Sequence, residues 1–501
     1  MLTLGSLKNK KFTSLQAYFW PVLPHETKLV LYLACFVFLI WTMNTSLSSF
    51  RDSLLITAPN SGAQVIGFLR LCGVLPMGIL FIILYSWLIN KFKRHHVINI
   101  FYGASGIFYL LYAFVIYPHH TSLIVNPATI AQLMKEHPHI QWIFPIFGNW
   151  TISLFFVITD LWVSVSLSQF FWQTANAYTK TDQASRFYPL FMAMGGLASV
   201  IAAVVLGSLM EYIEASHRIS FKKDFALQAA SLLNVVLCLM AMFVFNKFYR
   251  YASHLTPPKK LTSTSPSPSA FDGFRYLLKS NYLFYIFLTL LASELIYALI
   301  TFLWKTELQI YTSNTIIYDE LFSRYAFWGG ITLILTAYGT KTFIQYFGWV
   351  KVSYFSPMIS LITAIPFFGM LLFHHLKGSY DYSFGINPHY FLAMLGAFQS
   401  ICMTATFASF YYPTKEMAYI PLDVEMRSKG KAATDVLGSN CGKAISGIIQ
   451  EGFLSITGTI DLTVIPYLLA VTFGLFGMWF YATKALGKKY IHLLMSAQKK
   501  D

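Results

Sequence analysis

Charge is scarce in this sequence. Only 11% of its 501 residues are Asp, Glu, Lys or Arg, against about 25% in soluble domains. The deficit is not confined to one tail, because apolar runs recur from Leu29 to Tyr481. A water-soluble fold is therefore excluded. Cysteine is scarce too: Cys35, Cys72, Cys238, Cys402 and Cys441 fall in or beside apolar runs without close spacing, which excludes a disulfide framework or a zinc cluster and leaves small packing residues. No phosphate-cradling P-loop, dinucleotide fingerprint or nucleophile elbow occurs, so neither hydrolysis nor a bound cofactor is expected. His95 with His96 and His374 with His375 are adjacent pairs that lack the helical spacing of metal ligands. No metal site is expected.

What fills the chain is apolar: 56% hydrophobic and 18% aromatic residues, in runs of about twenty that match a bilayer core of about 30 Å. Polar breaks divide them into helices near 28–49, 64–90, 97–117, 142–176, 186–209 and 225–248, then 282–304, 325–347, 350–373, 389–411, 434–456 and 463–484. The first run has no small-residue cleavage site and reads as a retained helix, without the longer Ser- and Arg-rich leader of a plastid protein. Between the halves lies SHLTPPKKLTSTSPSPSA, residues 253–270, too poor in apolar surface to pack. The amphipathic FDGFRYLLKSNY that follows suits a helix at the membrane surface. The expected organisation is an N-terminal six-helix half (1–252), a linker with its amphipathic helix (253–281), a C-terminal six-helix half (282–485) and a basic tail (486–501).

The net charge of +15 carries no groove-binding motif, and nucleic acid is not an expected partner; the lipid bilayer is. With the N-terminus in the cytoplasm, most Lys and Arg of the connecting segments fall on the cytoplasmic side, as the positive-inside bias requires. Both termini are then cytoplasmic. An all-α integral membrane protein of twelve transmembrane helices in two halves has the layout of the major facilitator architecture, in which solute binds between the halves near the midplane and access alternates.

A charged side chain at the bilayer centre costs about 2.5 to 3.5 kcal/mol on insertion scales, so it usually faces a cavity or a partner. Asp160, inside FFVITDLWVSVSLSQFF, and Glu294, inside LTLLASELIYALITFLW, are such residues; a cavity role and a structural ion pair are both open. Arg51 and Lys305 lie near the expected helix ends, where a cavity role and snorkelling to headgroups are both open. Arg70 follows an apolar turn of the second helix, and Lys443 sits in GSNCGKAISG among Gly438, Gly442 and Gly447. These glycines admit a ligand or simply a neighbouring helix. Several cations around one cavity suit a polyphosphate, because Arg binds phosphate oxygens with a fork and Lys supplies a point charge.

The segment YYPTKEMAYIPLDVEMRSKGKAATDVLGSNCGKAISGIIQ, residues 411–450, closely resembles the signature region of bacterial and plastid ATP/ADP translocases. The likeness extends through DSLLITAPNSGAQVIGFLRLCGVLP at 52–76, DLWVSVSLSQFFWQTAN at 160–176 and RFYPLF at 186–191. The resemblance implies twelve helices and transport of nucleotides, by ATP/ADP exchange or by net import that is proton-coupled in some members. It also implies roles by position. Arg51 stands where the family has a functional lysine, with Ser48 and Ser49 in place of an Arg-Asp pair; Asp160 meets the acid of an ELWGSV segment, and Lys443 the lysine of a GKSGG segment. Thr301, three positions before Trp304-Lys305, replaces a family acid. Glu294 lies seven residues earlier on the same helical face and is a candidate relocated carboxylate.

The expected function is uptake of a purine nucleoside triphosphate, ATP or GTP, by alternating access through a bacterial inner membrane, with protons as a candidate coupling ion; obligate ATP/ADP exchange is the alternative. Arg51, Arg70, Lys305 and Lys443 are expected to hold phosphates, and Asp160 and Glu294 to set selectivity or carry a proton. A membrane enzyme or sensor would need a catalytic constellation or soluble output domain, and neither is visible. A channel would need a continuous polar pore.

Overall fold

The computed structural model describes residues 20–179, 181–216, 222–252, 277, 279–312, 314–377, 387–419, 421–422, 431–457 and 465–498. The linker 253–270, most of the amphipathic stretch, the first nineteen residues and positions 420 and 423–430 of the signature region lie outside these, as do Lys180 and Arg218 of the connecting segments.

Twelve helical runs follow one another among the described residues. The N-terminal half comprises α1 (Thr27–Ile56), α2 (residues 65–91), α3 (residues 94–116), α4 (residues 150–178), α5 (Thr181–Ala215) and α6 (Lys222–Ala252). The C-terminal half comprises α7 (Asn281–Tyr311), α8 (Thr315–Ser353), α9 (Phe355–Lys377), α10 (residues 388–418), α11 (Lys431–Thr457) and α12 (Ile465–Gln498). Nine are long and apolar enough to cross a membrane on their own composition; α2, α8 and α11 are the others.

Successive spans run in opposite directions, so the 2–3, 4–5, 6–7, 8–9 and 10–11 connections share one end with the termini. The 1–2, 3–4, 5–6, 7–8, 9–10 and 11–12 connections share the other, here called the distal end. The two halves repeat one pattern: α1 packs on α4, α5 and α6 as α7 packs on α10, α11 and α12. Between the halves α5 meets α8 and α2 meets α11, again a symmetric pair of contacts. This is the twelve-helix, two-half fold that the spacing of apolar runs predicts.

Local sequence sets the helix boundaries. Asn387 accepts from the backbone N–H groups of His389 and Tyr390 at 2.9 and 3.3 Å with Pro388 at the first position of α10, the Asn-cap and proline start that helix ends favour. Asn314 caps α8 in the same way through the Ile316 N–H at 2.9 Å. Gly348 breaks α8 with φ +76°, a left-handed backbone that glycine adopts without a Cβ clash. Several boundaries differ from the sequence expectation: α7 runs on to Tyr311, α10 to residue 418 and α12 to Gln498, through most of the expected basic tail, and two further differences bear on the site. α1 continues to Ile56 instead of ending near residue 49, and α8 begins at Thr315 instead of near 325. Both extensions carry charges: Arg51, Asp52 and Asp319 are met by side chains of other helices, and Glu320 pairs with Arg324 within α8.

Candidate solute site between the halves

The extension of α1 places Arg51 and Asp52 inside a membrane helix, where they are buried (6% and 1% exposed). Snorkelling to headgroups is thereby excluded for Arg51, and likewise for Lys305 of α7 at 4% exposure. Their charges are answered inside the protein. Arg51 Nη1 donates to Asp160 Oδ1 of α4 at 2.5 Å, and its Nε donates to Asp52 Oδ1 at 3.0 Å. The guanidinium also lies over the Phe156 ring, 4.9 Å from its centroid. Lys305 Nζ donates to Asp52 Oδ2 at 2.6 Å. Two cations and two carboxylates thus form one continuous network spanning α4, α1 and α7, with the Asp52 to Lys305 link joining the two halves.

A narrow cleft opens beside this network between α2, α7 and α11, lined by Ala63, Ile66, Gly67, Arg70, Ala298, Thr301, Phe302, Lys305 and Gln450. Arg70 opens a π turn, Arg70–Val74, a local widening of the helix often found at functional sites. Among the described residues its buried Nε has no hydrogen-bond partner. The close approach that forms the cleft is made by glycine. A Cβ on Gly447 would come within 2.5 Å of the Gly67 carbonyl oxygen, and one on Gly442 within 2.7 Å of Glu294 Cβ. Of the two roles open for these glycines, helix packing is the one the structure displays: Gly438 and Gly442 face α7, and Gly447 faces α2.

Glu294 is buried in α7 and accepts from Ser439 Oγ at 3.3 Å. Lys443 is half-buried one residue past Gly442, and among the described residues it forms no ion pair. Its field reaches both Asp160 and Glu294, as does that of Arg70. Thr301 lines the cleft and donates its hydroxyl to the Tyr297 carbonyl at 2.5 Å. The structure therefore brings the six expected site residues into one region: Arg51 bonds Asp160, Arg70 and Lys305 line one cleft, and the charge of Lys443 reaches both Asp160 and Glu294.

Sequence reasoning missed Asp52, the carboxylate that links Arg51 to Lys305. It was beyond the expected end of α1, and its only signal was its place beside Arg51 in a segment otherwise free of loop residues. Gln450 was missed because an amide in an apolar helix carries no charge signal. Asp319 of α8 was hidden in YDELFSR, which reads as a loop; it is 2% exposed and accepts from Ser49 and Ser53 of α1.

Chemically, the site presents two cations whose partners are acids and, among the described residues, two more without ion-pair partners, distributed over both halves. Among the described residues no acid, base and nucleophile converge on a reacting position. A model of the family described as TLC ATP/ADP transporter matches residues 5–490. The chain belongs to that family. It is a transporter and not an enzyme. Among similar curated proteins, the chain is 30% identical to ADP,ATP carrier protein 1 of Chlamydia pneumoniae over 97% of its own length and 95% of the relative's. It is likewise 30% identical to ADP,ATP carrier protein 3 of Rickettsia prowazekii (strain Madrid E), over 96% and 98%. Among solved structures, a bacterial homologue of the iron transporter ferroportin in an inward-facing state matches with a TM-score of 0.55 at 13% identity, covering 93% of this chain and 99% of that one. The D-xylose-proton symporter matches with a TM-score of 0.52 at 12% identity, covering 90% and 97%. At such identities these likenesses speak for the fold, the major facilitator type, and for nothing finer.

Proposed function

We propose that this transporter exchanges ATP for ADP across a bacterial inner membrane, with both termini in the cytoplasm. The observation that carries the reading is the charge network: Arg51 and Lys305 are held by Asp160 and Asp52 at hydrogen-bonding distance, beside Arg70 and Lys443, which have no such partner among the described residues. Carboxylates so placed stand in for phosphate oxygens. An entering polyphosphate takes over the cations because it offers more charge and a better fork geometry, and the released carboxylates must then find water as the halves part. Without nucleotide, the carboxylates close the network again. With the acids paired, the Asp52 to Lys305 link ties the halves together, and parting it would leave buried charges alone at a cost, so the empty carrier stays put and only the loaded one crosses. The names of the relatives, ADP,ATP carrier proteins, support the same solute.

The second reading is net uptake of ATP or GTP, with a proton as coupling ion. It is favoured by Thr301, which stands in the cleft where the resembled family carries an acid. Liposomes containing the purified protein separate the two. Entry of labelled ATP that requires internal ADP establishes exchange; entry at full rate into vesicles without internal nucleotide, abolished by a protonophore, establishes net import and overturns the first reading. Parallel vesicles offered labelled GTP decide the base.

A further inference from the structure

Asp319 lies outside the ion-pair network just described. It sits one turn into α8, 2% exposed, in the C-terminal half. Ser49 Oγ donates to its Oδ1 at 2.6 Å and Ser53 Oγ to its Oδ2 at 3.1 Å, both from α1 in the other half. No basic side chain pairs with it among the described residues. The charged and titratable groups whose fields reach it are Lys223 of α6 and Asp52 of α1, with Tyr117 beyond α3 and Tyr318 of α8 itself. Lys223 is engaged at Thr57 Oγ1, 3.5 Å away, and Asp52 is an anion whose charge opposes a second one nearby. The α5 helix meets this turn with Gly207 against Ser323, which brings no charge.

An ionised carboxylate so enclosed, bonded by two hydroxyls and, among the described residues, by no cation, is an arrangement that burial penalises, with Lys223 acting on it only from a distance. A proton removes the penalty, and the geometry accommodates it. Ser53 Oγ lies 3.3 Å from the Phe50 carbonyl oxygen as well as 3.1 Å from Asp319 Oδ2. When a proton binds Oδ2, the new O–H donates to Ser53 Oγ, and Ser53 turns its own hydrogen to the Phe50 carbonyl. Ser49 continues to donate to Oδ1. Every polar atom is then satisfied without a charge. We infer that Asp319, Ser49 and Ser53 form a proton-binding site that exists only while α1 and α8 are closed at the distal end.

The donors belong to one half and the acid to the other, so the site is made and unmade by the rocking of the halves. Closure takes a proton from the distal solution to Oδ2; opening exposes the acid to water, and the proton returns to the same side. The proton acts as a ligand that binds the closed state better and shifts the population towards it. This holds whichever solute is carried.

The test uses the purified full-length protein without nucleotide, with spin labels at Gln132→Cys and Ile310→Cys, exposed positions at the distal end of opposite halves, in a background lacking the native cysteines. The distance between labels should shorten as pH falls and lengthen as it rises. Asp319→Asn places an amide where the acid was, accepting from Ser49 and donating to Ser53, and should hold the short distance at every pH. Infrared spectra at neutral pH should show a carboxylic-acid carbonyl band that Asp319→Asn removes and Ser53→Ala shifts. A wild-type distance that ignores pH, an Asn variant that follows pH as the wild type does, or a spectrum unchanged by Asp319→Asn each overturns the site. None of these readouts involves ATP or ADP, so failure of the exchange reading leaves them intact.

Discussion

Lys305 of α7 donates to Asp52 of α1 at 2.6 Å, and Asp52 is at the same time held by Arg51 at 3.0 Å. This places one carboxylate between a cation of its own half and a cation of the other, both below a tenth exposed. Removing Lys305 leaves the inner network with an excess negative charge. Lys305→Met should therefore destabilise the closed protein by about 3 to 5 kcal/mol, the usual consequence of breaking a buried pair from one side. Adding Asp52→Asn should restore much of that loss, because the uncompensated charge goes with it. Thermal unfolding in detergent of the two single variants and the double variant measures the coupling; strict additivity would mean the pair does not bridge the halves.

The contact of α2 with α11 rests on two glycines. A methyl group on Gly447 meets the Gly67 carbonyl oxygen at 2.5 Å, inside van der Waals contact and against backbone that cannot rotate away. Gly447→Ala is expected to push α11 from α2 and favour the conformation open at the distal end. Labels on opposite halves at that end should show a longer distance than in the wild type, while the protein still folds. An unchanged distance would mean that the helices slide and absorb the methyl group.

The count of spans was legible because each apolar run exceeds what a bilayer needs, and because Pro, Ser and Thr crowd the segment between the halves. The ends of α1 and α8 were not. Arg51, Asp52, Asp319, Glu320 and Arg324 read as loop charges by composition. In the fold the first two neutralise one another with Asp160 and Lys305, Asp319 is enclosed by hydroxyls, and Glu320 pairs with the exposed Arg324. Pairing of this kind depends on which helices meet, and no periodicity within one helix contains it. Asp160, Glu294 and Lys443 were found because each is a lone charge in an apolar run, which the membrane makes conspicuous.

At the other end of the bundle, Glu26 just before α1 is held by Arg186 of α5 at 2.8 Å. Burial works against the charge of Glu26, but the hydrogen bonds from Arg186, the Leu23 N–H and Gln183 outweigh it and bring its carboxyl from 4.5 down to about 2. The folded value is below the unfolded one, so the stabilisation is fully present above pH 4.5 and is lost as pH falls towards 2. The gap in melting temperature between wild type and Glu26→Gln should be constant from neutral pH to about pH 5 and close below it. A gap that persists unchanged at the acid end would assign the effect to packing.

Arg51 and Lys443 should behave differently when truncated, although both are expected to meet phosphate. Arg51 is committed to Asp52 and Asp160, so Arg51→Ala should lower stability by about 3 to 5 kcal/mol as well as abolish exchange. Lys443 has no ion-pair partner among the described residues, so Lys443→Ala should leave the melting temperature near that of the wild type and raise the KM for ATP. If Lys443→Ala unfolds the protein instead, the lysine is a structural counter-charge for Glu294 and Asp160.

Glu294 and Thr301 test whether an acid has moved along α7. They are seven residues apart, about 10.5 Å at the rise of a helix, with Thr301 in the cleft beside Arg70 and Lys305 and Glu294 deeper against Ser439. A carboxylate at the deeper position still acts on Lys443 and Arg70, the two cations of the site without ion pairs among the described residues, and can offset their mutual repulsion until phosphate arrives. Glu294→Ala should then reduce the initial exchange rate strongly, and Thr301→Glu in the same chain should recover part of it, because the acid returns to the face it shares with those cations. Initial rates in ADP-loaded liposomes give the answer. A full rate in Glu294→Ala alone would show that the cations need no acid on α7, and that Thr301 is a neutral replacement.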